Sequence, residues 1–140
     1  MSPLTGLLVT HGRLGDALLE AAERIVGRLE GVTVLSNDGL SRERLTEAVR
    51  ERVRAFGPEG GVLFVDVAGG SCAQAALGAA AREAHGPTPV ITGVNLPMLL
   101  DFARHRADLD VRLLAQRLAD KGHASVVVLE PRPWTSENPG

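Results

Sequence analysis

The sequence predicts a single α/β domain built on an open, mainly parallel, doubly wound sheet with helices on both faces. Two patterns carry that expectation. Short runs such as residues 4–10 and 61–66 stay almost continuously apolar, as strands do when helices cover both of their faces. Between such runs lie longer segments with apolar residues at helical spacing, and strands alternating with helices imply parallel pairing through right-handed crossovers. Size agrees, because 140 residues can bury one continuous core but are too few for two ordinary domains.

Residues 4–10 make the first strand, expected at the centre of the sheet. From there Leu14, Leu18, Ala21, Ala22, Ile25 and Leu29 recur at helical spacing, with Glu20, Glu23, Arg24 and Arg28 between them. This reads as an amphipathic helix closed by Gly31. Residues 32–35 form a second strand, bounded by Asn37, Asp38 and Gly39. Ser41 is placed to cap the next helix, whose buried stripe is Leu45, Ala48, Val49, Val53 and Phe56. Its charged residues alternate in sign, which suits a solvated face better than a polyanion site.

A turn through Gly57-Pro58-Glu59-Gly60 leads into the third strand, apolar up to its last residue, Asp66. After Gly69-Gly70 a small-sided helix runs from Ser71 to Ala84, and the spacing of Ser71 to Gln74 matches a capping box. Residues 89–94 are expected as a fourth strand, and Pro97 suits the first turn of a short helix ending near Arg104. Val111, Leu114, Ala115 and Leu118 mark a further helix, stopped by Gly122, before a fifth strand at residues 125–129. Residues 1–130 thus form the domain and residues 131–140 an irregular tail.

Composition narrows the function classes. Fifteen Lys and Arg against 17 Asp and Glu give a formal charge of −2, no basis for binding nucleic acid or an anionic membrane. Aromatic residues are 3%, too few for base-stacking platforms. No segment is long and apolar enough to span a bilayer, and the start lacks an export signal, so a cytoplasmic location is expected. Cys72 is the single cysteine, which removes disulfides and multi-cysteine zinc sites. His85, His105 and His123 lack the paired spacing of ligands, so neither a metal nor a cofactor is expected.

The chemistry gathers at the carboxyl ends of the strands, where open parallel sheets bind ligands. His11 follows the first strand, Asp66 ends the third and Asn95 follows the fourth. A neutral imidazole offers one nitrogen lone pair while its other nitrogen carries a proton, and a carboxylate accepting that proton selects the tautomer. Such a pair permits general base catalysis or covalent catalysis, and spacing does not separate them. Each residue alone has a plainer reading: His11 bonded to its turn, Asp66 initiating a turn, Ser71 capping its helix. The helix start at Gly69-Gly70-Ser71 would also point backbone N–H groups at this edge, which suits a phosphoryl group or another oxyanion.

With these residues in hand, the sequence resembles the IIA component of the mannose-type (mannose/fructose/sorbose) bacterial phosphotransferase system. The carriers are Thr10-His11-Gly12 with Leu14 and Ala21-Ala22-Glu23, then Gly61 to Asp66 with Gly69-Gly70-Ser71, then Gly93-Val94-Asn95-Leu96-Pro97-Met98-Leu99. The resemblance implies a phosphotransferase with a phosphohistidine intermediate, in which His11 accepts a phosphoryl group from the phosphocarrier protein and passes it to a IIB protein or domain. Asp66 would polarise the imidazole, with Gly69, Gly70, Ser71 and Asn95 around the phosphoryl oxygens. It also implies a homodimer whose last strand joins the partner's sheet antiparallel, a role open to residues 125–129. Where the family commonly has a hydroxyl and a bulky aromatic residue after the aspartate, and proline after the serine, this chain has Val67, Ala68 and Cys72. Two alternatives follow: a regulatory module whose binding depends on phosphorylation, and the phosphotransfer subunit of a dihydroxyacetone kinase.

Overall fold

A computed structural model describes residues 3–134 and 136–137. The elements run β1 (Thr5–Thr10), α1 (Leu14–Val26), β2 (Val32–Ser36), α2 (Arg42–Arg54), β3 (Gly61–Val65), α3 (Ser71–Glu83), β4 (Val90–Ile91), α4 (Leu96–His105) and α5 (Val111–Ala124). The strands form one parallel sheet in the order β2-β1-β3-β4. The order reverses beside β1, so the end of β1 is the topological switch point where such sheets open a crevice.

The apolar continuity of the central strands is explained by the two layers that cover them. Leu7, Leu8, Val9, Leu63, Phe64 and Val65 are all fully buried. Because successive strand residues point to opposite faces, Leu8, Val62 and Phe64 pack under α1, α4 and α5 with Ala22, Leu99, Phe102, Leu114 and Leu118. Leu7, Val9, Leu63 and Val65 face α2 and α3, meeting Leu45, Val49, Val53, Ala76 and Ala79. Short alanines let α3 lie close, which accounts for its small-sided composition. On the first face Phe64 and Phe102 stack edge to face with centroids 5.3 Å apart, and the Arg106 guanidinium lies 5.3 Å from the Phe102 ring centre. Burial pulls the Arg106 guanidinium below its ordinary value.

The charged face of α2 is tied as well as wet. Arg50 Nε and Arg54 Nε each donate to Glu83 of α3 at 2.8 Å. Hydrogen bonds from Arg54 and then Arg50 lower the Glu83 carboxyl to about 2, against an ordinary 4.5. A carboxyl depressed on folding contributes stability that is complete above pH 4.5 and is lost as pH falls toward about 2. Thermal melts between pH 5 and pH 2 are therefore expected to fall less steeply for Glu83→Gln than for the wild type; parallel curves would refute the assignment.

Several boundaries differ from expectation. Helix α1 ends at Val26, because Gly27 at φ +87° turns the chain and leaves Leu29 buried beyond the helix instead of within it. Only Val90–Ile91 of the fourth strand has regular pairing, although Pro89 and Val94 still bond β3 through Leu63 N–H and Val65 C=O. Gly122 does not stop α5. It sits where an added Cβ would lie 2.8 Å from Met98 Cε, so its role is close approach of α5 to α4. The fifth strand is absent from the single chain: residues 125–129 pair with no strand, and Val126 and Val128 are 78% and 88% exposed. Residues 131–134 carry no regular structure. Among the described residues no helix is long and apolar enough to cross a membrane.

Candidate functional site

Strand β1 delivers His11 to the edge, and the residues before it are buried to hold it there. Thr10 is fully buried, and its Oγ1 accepts the Gly15 N–H at 2.8 Å, tying the strand end to the start of α1. Gly15 allows that approach, since a Cβ there would meet Thr10 Oγ1 and Val34 Cγ1 within 2.7 Å. From β2's end, the Asn37 side-chain oxygen accepts the Gly12 N–H at 3.2 Å, and the Asn37 N–H returns a bond to the Thr10 carbonyl. Asn37 thus clamps the His11 loop from the neighbouring strand. The turn signal Asn37-Asp38-Gly39 marked the place in the sequence, but not this contact.

Asp66 follows β3 directly, and β3 lies beside β1 in parallel register from Thr5↔Gly61 to Val9↔Val65. That register brings the two strand ends level. His11 Nδ1 lies 3.0 Å from Asp66 Oδ2 and 3.2 Å from Oδ1, and the His11 backbone N–H donates to Oδ2 at 2.9 Å. The Val67 N–H donates to Oδ1 at 3.1 Å. Burial by itself would raise the Asp66 carboxyl, but the His11 backbone and ring and Asp66's own backbone environment hold it below the usual range. An ionised carboxylate only accepts, so Nδ1 carries the ring proton and Nε2 keeps the lone pair. The imidazole side chain is 45% exposed and that of Asp66 10%. The carboxylate is sheltered and the imidazole is open to solvent.

Helix α3 begins immediately after this aspartate's turn. Its cap position is Gly70, at φ +99°, with no side-chain hydrogen bond to the first turn. Ser71 is therefore the first helical residue and not the cap, and the expected capping box with Gln74 does not form. The reason is one of position: the capping side chain comes from the residue just before the first helical one, and here that residue is a glycine. The opening N–H groups of α3 have no intrahelical acceptor. Gly69 and Gly70 are exposed and Ser71 half-buried.

Asn95 is placed differently. Its oxygen accepts the Met98 N–H at 3.1 Å, capping α4, and its amide donates to the Gly122 carbonyl at 3.2 Å. The side chain is thus committed to joining α4 and α5. Burial, then the Asp66 charge, pushes the Cys72 thiol up, so that without a ligand it stays protonated. His85 and His123 are exposed, while His105 lies 3.7 Å from the buried Asp101 at the end of α4.

These parts define an open-edged parallel α/β domain that presents an oriented imidazole beside an uncapped helix start. Residues 6–118 match the family described as "PTS system fructose IIA component", and the chain belongs to that family. Its fold is shared by the phosphotransferase system component EIIA of Streptococcus agalactiae, at 23% identity and TM-score 0.82, covering 89% of this chain and 96% of that one. A mannose/sorbose-specific IIA subunit from Enterococcus faecalis is 20% identical with TM-score 0.79, covering 96% of this chain and 100% of that one. A sugar phosphotransferase system permease protein from Klebsiella pneumoniae aligns with TM-score 0.76 at 20% identity over 90% of each chain. Among curated protein sequences none matches this chain significantly. Family membership gives the chain a general role: a IIA component of a sugar phosphotransferase system.

Proposed function

We propose that the protein is a histidine phosphocarrier, taking a phosphoryl group on His11 Nε2 from the phosphocarrier protein and passing it to a IIB component. The observation that carries this reading is the Nδ1 to Asp66 hydrogen bond of 3.0 Å, which leaves Nε2 as an exposed nucleophile. In the transfer, the Nε2 lone pair forms the new N–P bond as the donor's N–P bond breaks in line. The donor imidazole leaves with the electron pair. The charge that develops on the His11 ring is balanced by Asp66, while the N–H groups of α3 and the Ser71 hydroxyl receive phosphoryl oxygens. Gly69 and Gly70 keep the approach to those N–H groups free of side chains.

Incubation with purified phosphorylated phosphocarrier protein tests the proposal. An acid-labile phosphate on His11 is expected; its absence beside a competent control acceptor would remove the reading. The next acceptor, a IIB protein or a dihydroxyacetone kinase, is told apart by which one drains that phosphate. The exposed Val67-Ala68 pair beside Asp66 favours a second reading, a module whose partner binding depends on phosphorylation. Capture of a partner equally by wild type, His11→Ala and a charge mimic would exclude it.

The exposed run Val126-Val127-Val128-Leu129 supports a homodimer in which this segment pairs with a second copy. Such a row of β-branched residues with no strand beside it is suited to pairing across a sheet edge. Light scattering is expected to give twice the chain mass for the full protein and the monomer mass for residues 1–124. A monomeric full chain would refute it.

A further inference from the structure

We propose that His11, Asp66 and Cys72 form a binding site for a thiophilic divalent ion of the zinc type, and that such an ion blocks phosphoryl acceptance. One ring nitrogen of His11, one carboxylate oxygen of Asp66 and the sulfur of Cys72 lie within 4.8 Å of one another. They come from three places in the fold: the end of β1, the end of β3 and the first turn of α3. Counting cysteines excluded a site made of several thiols, but a single thiolate joined by an imidazole and a carboxylate is a zinc-type donor set, and its sulfur disfavours magnesium or calcium.

The spacing suits an ion. Metal–nitrogen and metal–oxygen bonds of about 2.0–2.1 Å at a tetrahedral angle put two ligand atoms about 3.3 Å apart. Nδ1 lies 3.0 and 3.2 Å from the two Asp66 oxygens. The Cys72 sulfur stands on the core side within 4.8 Å of the other two ligand atoms, and the exposed His11 face leaves a fourth position open to solvent. Three protein ligands with one open position is a reversible arrangement, unlike the closed four-ligand structural sites.

The blocking follows from proton placement. Coordination through Nδ1 moves the ring proton to Nε2, and the Cys72 thiol releases its proton to solvent, one per ion bound. An Nε2 that carries hydrogen has no lone pair for phosphorus. The binding half stands on geometry alone, whereas the blocking half rests on the phosphocarrier reading.

Cobalt(II) titration of the whole protein tests the binding half. The wild type is expected to show one equivalent of cobalt–thiolate charge-transfer absorption, displaced by zinc. His11→Gln, at an exposed position, is expected to bind zinc about tenfold or more weakly, and Cys72→Ser to lose the thiolate band. No band in folded wild type, or a band and affinity unchanged in His11→Gln, would overturn the site. For the blocking half, uptake from isolated phosphorylated phosphocarrier protein is measured with and without zinc, each variant against its own zinc-free rate. A wild-type ratio about tenfold or more below that of Cys72→Ser is expected, and equal ratios would overturn it. If zinc-free wild type takes up no phosphate, the phosphocarrier reading fails, while the cobalt spectra still decide the site.

Discussion

His11→Ala is expected to abolish acid-labile phosphate uptake, and Asp66→Asn to slow it by about 10²-fold or more, with both proteins folded. Alanine removes the only atom that forms the N–P bond, so no partial activity is available from orientation or charge. His11 is exposed and only its ring is lost, so its melting temperature should change little. Asparagine is the more informative change. Asp66 accepts three donors, the His11 N–H, the His11 ring and the Val67 N–H, and an amide replaces one acceptor oxygen by a donor. At least one of those bonds is lost, and no negative charge remains to balance the ring as it gains phosphorus, which is why a loss of this size is expected of a misoriented, uncompensated imidazole. Rates from quenched-flow transfer with phosphorylated phosphocarrier protein check both. Acid-labile phosphate persisting on His11→Ala would move the acceptor elsewhere, and wild-type rates in Asp66→Asn would deny the carboxylate its role.

Phe102→Ala is expected to lower stability by about 3–5 kcal/mol while sparing the chemistry of the folded protein. Phe102 is fully buried, stacks on Phe64 and lies under the Arg106 guanidinium. Its ring also fills the space left at Gly6, where an added Cβ would come within 3.3 Å of it. Removing it leaves a cavity against two strands and strips the cation of its aromatic face. For a chain of this length the loss corresponds to a fall in melting temperature of roughly 10 °C or more. Gly6 and His11 are about 16 Å apart along β1 at the usual strand rise, so the site should not sense the cavity. Calorimetry and uptake at 10 °C measure the two effects separately. A small melting shift would show that the layer repacks, and a lost uptake rate in folded protein would show that the α4 layer is coupled to the site.

The fold was largely legible because its causes are local or periodic. Continuous apolar strands such as 61–65 follow from being covered twice, and the Leu45, Val49 and Val53 stripe follows from one buried helix face. The structure departs from expectation where a residue type has two uses. In the sequence Gly122 reads as a stop, but it allows close packing, and the difference lies in Met98, a residue from another helix. In the sequence Ser71 reads as a cap, but one step back along the chain Gly70 takes that position, and a shift of one residue decides whether any side chain meets the first N–H groups. Residues 125–129 have strand composition and no neighbour to pair with in a single chain, because composition does not supply a partner edge.

By itself the sequence determined the α/β class, the two strand ends carrying His11 and Asp66, and the helix start that follows them. Those features depend on neighbours within a turn or a strand, and the periodicity records them. Tertiary structure alone decided that Nδ1 faces the carboxylate, that Asn37 clamps the loop, that Asn95 is committed to α4 and α5, and that the buried sulfur of Cys72 stands against the same pair. Each of these is a contact between residues 25 to 61 positions apart or between separate elements. Such contacts are set by the register of parallel strands and the packing of helices on them, and no local pattern in the chain encodes the resulting distances.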